Sequence, residues 1–236
     1  MSSGGGRATQ SRAVLVWDWP TRAFHWSLAS LVAFSLVTGT QKGGWLDWHI
    51  RSGYAIMALL LFRLGWGVWG GHWARFRSFV AGPAAAIRHI RELFGHERMT
   101  DIGHNALGGW AVLALLAVLF VQVGTGLFTS DSDMGFTGGP LMDRVSDALR
   151  SRLGSIHAVN ANLILALVAL HVSAIAGYAV FKREDLIGPM LSGRKWLADS
   201  VARQLPGTDR ASGRWTRALL TLTGAAAIVW LVVAAG

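Results

Sequence analysis

The sequence predicts an all-α integral membrane protein with five transmembrane helices, the last of them C-terminal. Three observations carry this. Five apolar runs, at about 23–41, 49–71, 105–128, 155–181 and 217–235, are long enough to cross a bilayer. The chain is 52% hydrophobic and only 15% charged, with 12 Trp and 29 Gly. Trp gathers at lipid interfaces, and Gly lets helices pack closely. The basic residues also alternate from loop to loop, as a five-span topology requires.

Taken in order, residues 1–13 are Gly/Ser-rich and predict a disordered tail. The first run is too long for a signal-peptide core and no clear small-residue cleavage site follows it, so it reads as a retained helix. The second run is interrupted by Arg63. The loop at 72–104 has room for an amphipathic helix near 84–95. The loop at 129–154 carries Asp131, Asp133, Asp143 and Asp147, a Gly-Gly-Pro turn at 138–140 and a short helix expected over 142–152. The fourth run has no Asp, Glu, Lys or Arg from 153 to 181. A polar linker at 196–216 precedes the last span, 217–236.

Charge fixes the expected orientation. Of the 22 basic residues, 16 fall before span one, between spans two and three, or between spans four and five. The positive-inside rule then puts the N-terminus in the cytoplasm and the C-terminus outside. A net charge of +9 distributed this way speaks for a lipid surface and against nucleic acid. The chain has no Cys, which excludes a covalent c-type haem and cysteine-ligated iron–sulfur clusters. Any redox group must be held non-covalently, most plausibly by histidine.

Of eight histidines, His72, His89 and His96 lie among loop arginines and read as solvated interfacial side chains. Four others sit at matched depths. His157 and His171 are fourteen residues apart, about 21 Å along one helix and close to four turns, so they share a face. His49 starts span two at the outer level of His157, and His25 starts span one at the inner level of His171. Ionisable residues in a span are rare and usually functional. Two pairs at two levels suit iron held by two axial imidazoles from different helices. Gly39, Gly53, Gly124, Gly126 and Gly177 are positions where a flat macrocycle can approach a helix backbone, although helix packing explains them equally well. Arg63 calls either for an anion such as a haem propionate or for snorkelling to the inner interface. His104 suits a quinone site, a propionate or a polar helix start.

Several segments together resemble the bacterial cytochrome b561 and nickel–iron hydrogenase cytochrome b family. They are Trp17-Asp18-Trp19-Pro20-Thr21-Arg22-Ala23-Phe24-His25-Trp26, Phe62-Arg63-Leu64-Gly65-Trp66-Gly67 and Gly103-His104-Asn105-Ala106-Leu107-Gly108. The family often has Pro at the position of Ala106. The resemblance spans about 14–195 and implies a four-helix domain holding two non-covalent b haems. By motif position, His25 with His171 would ligate the inner haem and His49 with His157 the outer one, the same pairing that depth suggests. It also implies electron transfer between membrane quinone and a partner: a hydrogenase subunit, a soluble c-type cytochrome or superoxide. Quinone oxidation or reduction would be its one chemical step. The fifth span departs from the family's four-helix core. Outside that family, a haem-free transporter relaying protons through histidines, or a helical anchor for a partner, would account for the spans; the anchor gives no reason for matched histidine pairs.

Overall fold

The computed structural model describes residues 11–41, 43–93, 102–131, 137–205 and 214–236. Its architecture is helical. The long elements are α1 (Trp19–Thr38), α2 (Trp45–Trp69), α3 (Pro83–Leu93), α4 (Ala106–Gly126), α5 (Asp147–Gly177) and α6 (Arg214–Ala234). Four of them, α2, α4, α5 and α6, are long and apolar enough to cross a membrane, α5 counted with its extension to Lys182. The molecule is a multi-pass membrane protein. The first of the five expected spans forms as the 20-residue α1 but falls outside that set. Thr21, Arg22 and His25 dilute its first turns.

Local chemistry sets the helix ends. α1 opens with Asp18, whose Oδ1 accepts from the Thr21 N–H at 3.0 Å, and with Pro20 in the first turn. An oxygen acceptor before the helix and Pro just inside it are favoured, because the first N–H groups have no partner within the helix. Asn105 caps α4 on Gly108 N at 2.6 Å in the same way. The Ser146 hydroxyl caps α5 on Leu149 N at 3.4 Å. The helix expected over 142–152 is therefore not a separate one. Only a single turn of 3-10 helix forms at Met142–Arg144, and residues from Asp147 onward belong to α5. The amphipathic loop helix expected near 84–95 is α3.

The helices alternate in direction. α1 packs on α2, α2 on α4 and on α6, and α4 on α5. The polarity is that of a membrane bundle. Val159, Leu170 and Leu220 are each more than 60% exposed, whereas Ser52, Arg63, Thr125 and Asn160 are buried. Lipid is as apolar as Leu, so burial is reserved for close packing and for polar groups that need partners. Leu60 and Trp66 of α2 are the most deeply buried large side chains. They join Phe24, Ile56, Leu116, Leu119, Ile164, Ala218 and Ala225 in one core cluster drawn from five helices.

At the end where α1 begins, strand β1 (Ser11–Leu15) pairs antiparallel with β2 (Arg194–Ala198). The turn into β2 passes through Gly193 at φ +82°, a left-handed conformation natural to glycine. Its carbonyl accepts from both Val16 N (2.9 Å) and Trp17 N (3.1 Å). The strap ties the entry of α1 to the chain that follows α5. Of the tail expected over 1–13, residues 1–10 lie outside the described residues, and residues 11–13 begin this strand. Within the linker expected over 196–216, residues 206–213 lie outside the described residues. Residues 196–198 continue β2, Asp199–Ala202 add a short helical turn, and residues 214–216 already belong to α6.

Candidate functional site

The histidine pair expected at the outer level is built first by helix geometry. His49 lies in the second turn of α2 and His157 in the third turn of α5, and the bundle brings them together. Their ring centres are 6.1 Å apart and the planes stand at 84°. Two nitrogens on opposite sides of one metal, each about 2 Å away, leave ring centres about 6 Å apart. The spacing fits one metal between two imidazoles.

Both rings are anchored from behind. His49 Nδ1 is 3.0 Å from the Ser35 carbonyl and 3.3 Å from its hydroxyl. His157 Nδ1 is 3.0 Å from the Gln122 carbonyl and 3.1 Å from the Thr125 hydroxyl. A carbonyl only accepts, so each Nδ1 carries the proton and each Nε2 carries the lone pair. This is the arrangement in which a histidine is oriented as a metal ligand.

Both histidines line a cavity of about 620 Å³ between α1, α2, α4 and α5. That is within the range of about 300–1,000 Å³ for cofactor sites. Its glycines differ in purpose. A Cβ on Gly39 would stand 2.9 Å from His49 Cε1, and one on Gly126 3.0 Å from His157 Cε1. Each is four residues after the carbonyl that anchors the same imidazole. A Cβ on Gly53, which lines the cavity, would meet nothing. Gly39 and Gly126 make room for the imidazoles, and Gly53 leaves room for a flat group. Gly124 also meets nothing, and Gly177 makes only an ordinary contact with Phe181 at 4.0 Å.

Among the described residues, no cluster of three or more His, Cys, Asp or Glu could hold a bare metal ion. Two imidazoles beside an apolar cavity fit a planar group that brings its own equatorial nitrogens. The residues present therefore fit a haem.

The inner histidines are close without being anchored alike. His25 and His171 lie within electrostatic range of each other, and both of His104. Among the described residues, His25 Nδ1 and His104 Nδ1 are buried without a hydrogen-bond partner, as are Arg22 Nε and Arg63 Nη1. Arg63 is 4% exposed. Its guanidinium lies 4.7 Å from the Phe76 ring and 5.8 Å from Phe79. It does not snorkel to the interface. Burial, reinforced by the Arg63 charge, pushes the His104 imidazole down to about 3, which leaves it neutral.

Three of the motifs noted in the sequence meet here. Asp18 Oδ1 also accepts from Trp66 Nε1 at 3.4 Å, joining the first motif to the second. The Trp17 ring lies 4.7 Å from His104, joining the first to the third. The reading of His89 as solvated is wrong: it is 5% exposed, and its Nε2 is 3.1 Å from the Tyr178 hydroxyl. Asn105 Nδ2 donates to that hydroxyl at 2.8 Å. His89 is carried inward because α3 packs on α4. The amphipathic pattern of 84–95 was the available signal for it. His72 is exposed as expected, and His96 lies outside the described residues.

Around the start of α5, Asp143 and Asp147 face Arg150 at 3.4 and 3.7 Å, while Asp133 lies outside the described residues.

Comparison with known proteins agrees with the architecture. The chain is 25% identical over 231 aligned residues to a probable Ni/Fe-hydrogenase B-type cytochrome subunit of Azotobacter chroococcum mcd 1, covering 83% of this chain and 94% of that protein. No solved structure matches. A profile of the prokaryotic cytochrome b561 family matches residues 16–193, about three quarters of the chain and the whole stretch that carries the four histidines. The protein belongs to the prokaryotic cytochrome b561 family, and is a membrane cytochrome b of electron transfer.

Proposed function

We propose that this chain carries electrons across a bacterial inner membrane between an outer redox partner and the quinone pool, using two non-covalent b haems. In this reading α1, α2, α4 and α5 form the haem-binding domain of residues 14–195, and α6 is an added fifth span. The N-terminus is cytoplasmic and the C-terminus periplasmic. His49 and His157 hold the outer haem, and His25 and His171 the inner one. The observation that carries the reading is the outer pair: two imidazoles 6.1 Å apart, both anchored through Nδ1 to a neighbouring helix.

When bound, haem supplies an iron that takes up and releases single electrons; the protein supplies ligation, orientation and exclusion of water. Arg22 and Arg63, each with a buried N–H that has no partner among the described residues, would hold an anionic group such as a haem propionate. A partner is suggested by the hydrogenase subunit name of the relative. A c-type cytochrome would serve the same outer site. A histidine proton relay is less well supported, because both outer Nδ1 protons are directed into helix carbonyls, where a relayed proton cannot go.

Purified protein should contain two haems per chain by pyridine haemochrome, all extractable with acid-acetone. One haem, none, or haem that stays attached would refute the reading.

A further inference from the structure

We propose that Ser35, Gln122 and Thr125 hold the outer metal site at a lower reduction potential than the inner one, so that electrons run downhill from the outer face inward. This rests on the bis-histidine reading above.

The argument starts from what stands behind each ring. Both outer imidazoles direct Nδ1–H at a helix carbonyl 3.0 Å away, with a hydroxyl oxygen at 3.1–3.3 Å as a second acceptor. An acceptor that pulls on this proton gives the ring more anionic character and makes Nε2 a stronger donor. Stronger donation stabilises oxidised iron more than reduced iron and lowers the potential. At the inner level, His25 Nδ1 is buried and has no hydrogen-bond partner among the described residues, so its ring has no such support.

The outer device is also rigid. Thr125 donates its own hydroxyl proton to Val121 O at 2.7 Å, which turns its lone pairs to the imidazole. Asn160, one turn from His157, donates to Gln122 Oε1 at 2.7 Å and to Val118 O at 2.8 Å. That pair fixes α5 against α4 beside the Gln122 carbonyl. Buried amides in a membrane need such partners. Here they also hold the acceptor in place behind His157.

Redox titration of the purified holoprotein tests this with Ser35→Ala and Thr125→Val. Each leaves the carbonyl and removes the hydroxyl acceptor. The lower of two midpoints should rise, and the upper should stay. In the double variant the reduction equilibrium of the outer site should shift by up to about tenfold, which is about 59 mV for a one-electron couple. His157→Ala should retain only the upper midpoint. An unmoved lower midpoint with haem content intact, movement of the upper one instead, or a His157→Ala protein that keeps the lower midpoint overturns the proposal. If an apolar variant loses its haem, Thr125→Ser and Ser35→Thr decide: wild-type midpoints support the proposal, and a shift overturns it. Wild-type protein without two bis-histidine haems would instead sink the functional reading itself.

Discussion

Replacing His171 by Ala is expected to remove the inner haem, spare the outer one and abolish transmembrane electron transfer. The inner partner, His25, is on α1, whereas both outer ligands are on other helices, α2 and α5. His171 and His157 share α5 but are about 21 Å apart along it, so ligand loss at one level leaves the other pair in place. The anchors of His157, the Gln122 carbonyl and the Thr125 hydroxyl, belong to α4 and do not depend on His171. His157→Ala should give the converse. Each variant should keep about half of the wild-type haem absorbance. Each should lose nearly all electron transfer across vesicles, because the two centres act in series. A bound cofactor stabilises the fold that binds it, so loss of either haem also lowers thermal stability. Full haem in both variants would refute the ligand assignment, and loss of all haem in both would refute independent sites.

The sequence made the bundle legible because lipid imposes long apolar runs. It showed the ends of those runs less well. α1 begins at Trp19, not near 23, because the Asp18 cap and Pro20 start a helix before the lipid-facing residues do. α5 begins at Asp147, not near 155, because a polar stretch can be helical outside the membrane and leaves no apolar signal. The strand Ser11–Leu15 is too short to be seen by alternation, and it forms only because Arg194–Ala198 is held beside it.

The shared depth of His49 and His157 is legible from their places in the spans, and in the fold their rings lie 6.1 Å apart. What holds them was not legible. The Ser35 and Gln122 acceptors are main-chain carbonyls, which every residue possesses, and only packing selects which of them faces an imidazole. His89 was misread for a related reason. Its sequence neighbours Arg88 and Arg91 suggest water, but the face on which it sits is decided by the packing of α3 on α4. Asp18 and Trp66 are 48 residues apart. The motifs around them could be noted separately, but their meeting could not.

Gly126→Val is expected to displace His157 and cost the protein its outer haem with the inner one retained. The cause is steric and local. A Cβ at this position would already lie 3.0 Å from His157 Cε1 and 3.4 Å from its Nδ1. The ring cannot simply slide away, because Nδ1 is held by a carbonyl at 3.0 Å on the same face of α4. Either the hydrogen bond breaks or α4 and α5 separate, and overpacking of this kind costs about 1–3 kcal/mol. Gly39→Val should act likewise on His49, with a Cβ 2.9 Å from its Cε1 and 3.1 Å from the anchoring Ser35 carbonyl. The control is in the same helix: Gly124→Ala places a Cβ where nothing lies within 4 Å and should keep both haems. Haem stoichiometry and low-temperature reduced-minus-oxidised spectra of the three variants would check this. Full outer haem in Gly126→Val would mean that His157 has freedom that its hydrogen bonds deny. Equal loss in Gly124→Ala would mean that any added bulk in this turn of α4 disrupts the bundle, and that Gly126 has no special relation to the imidazole.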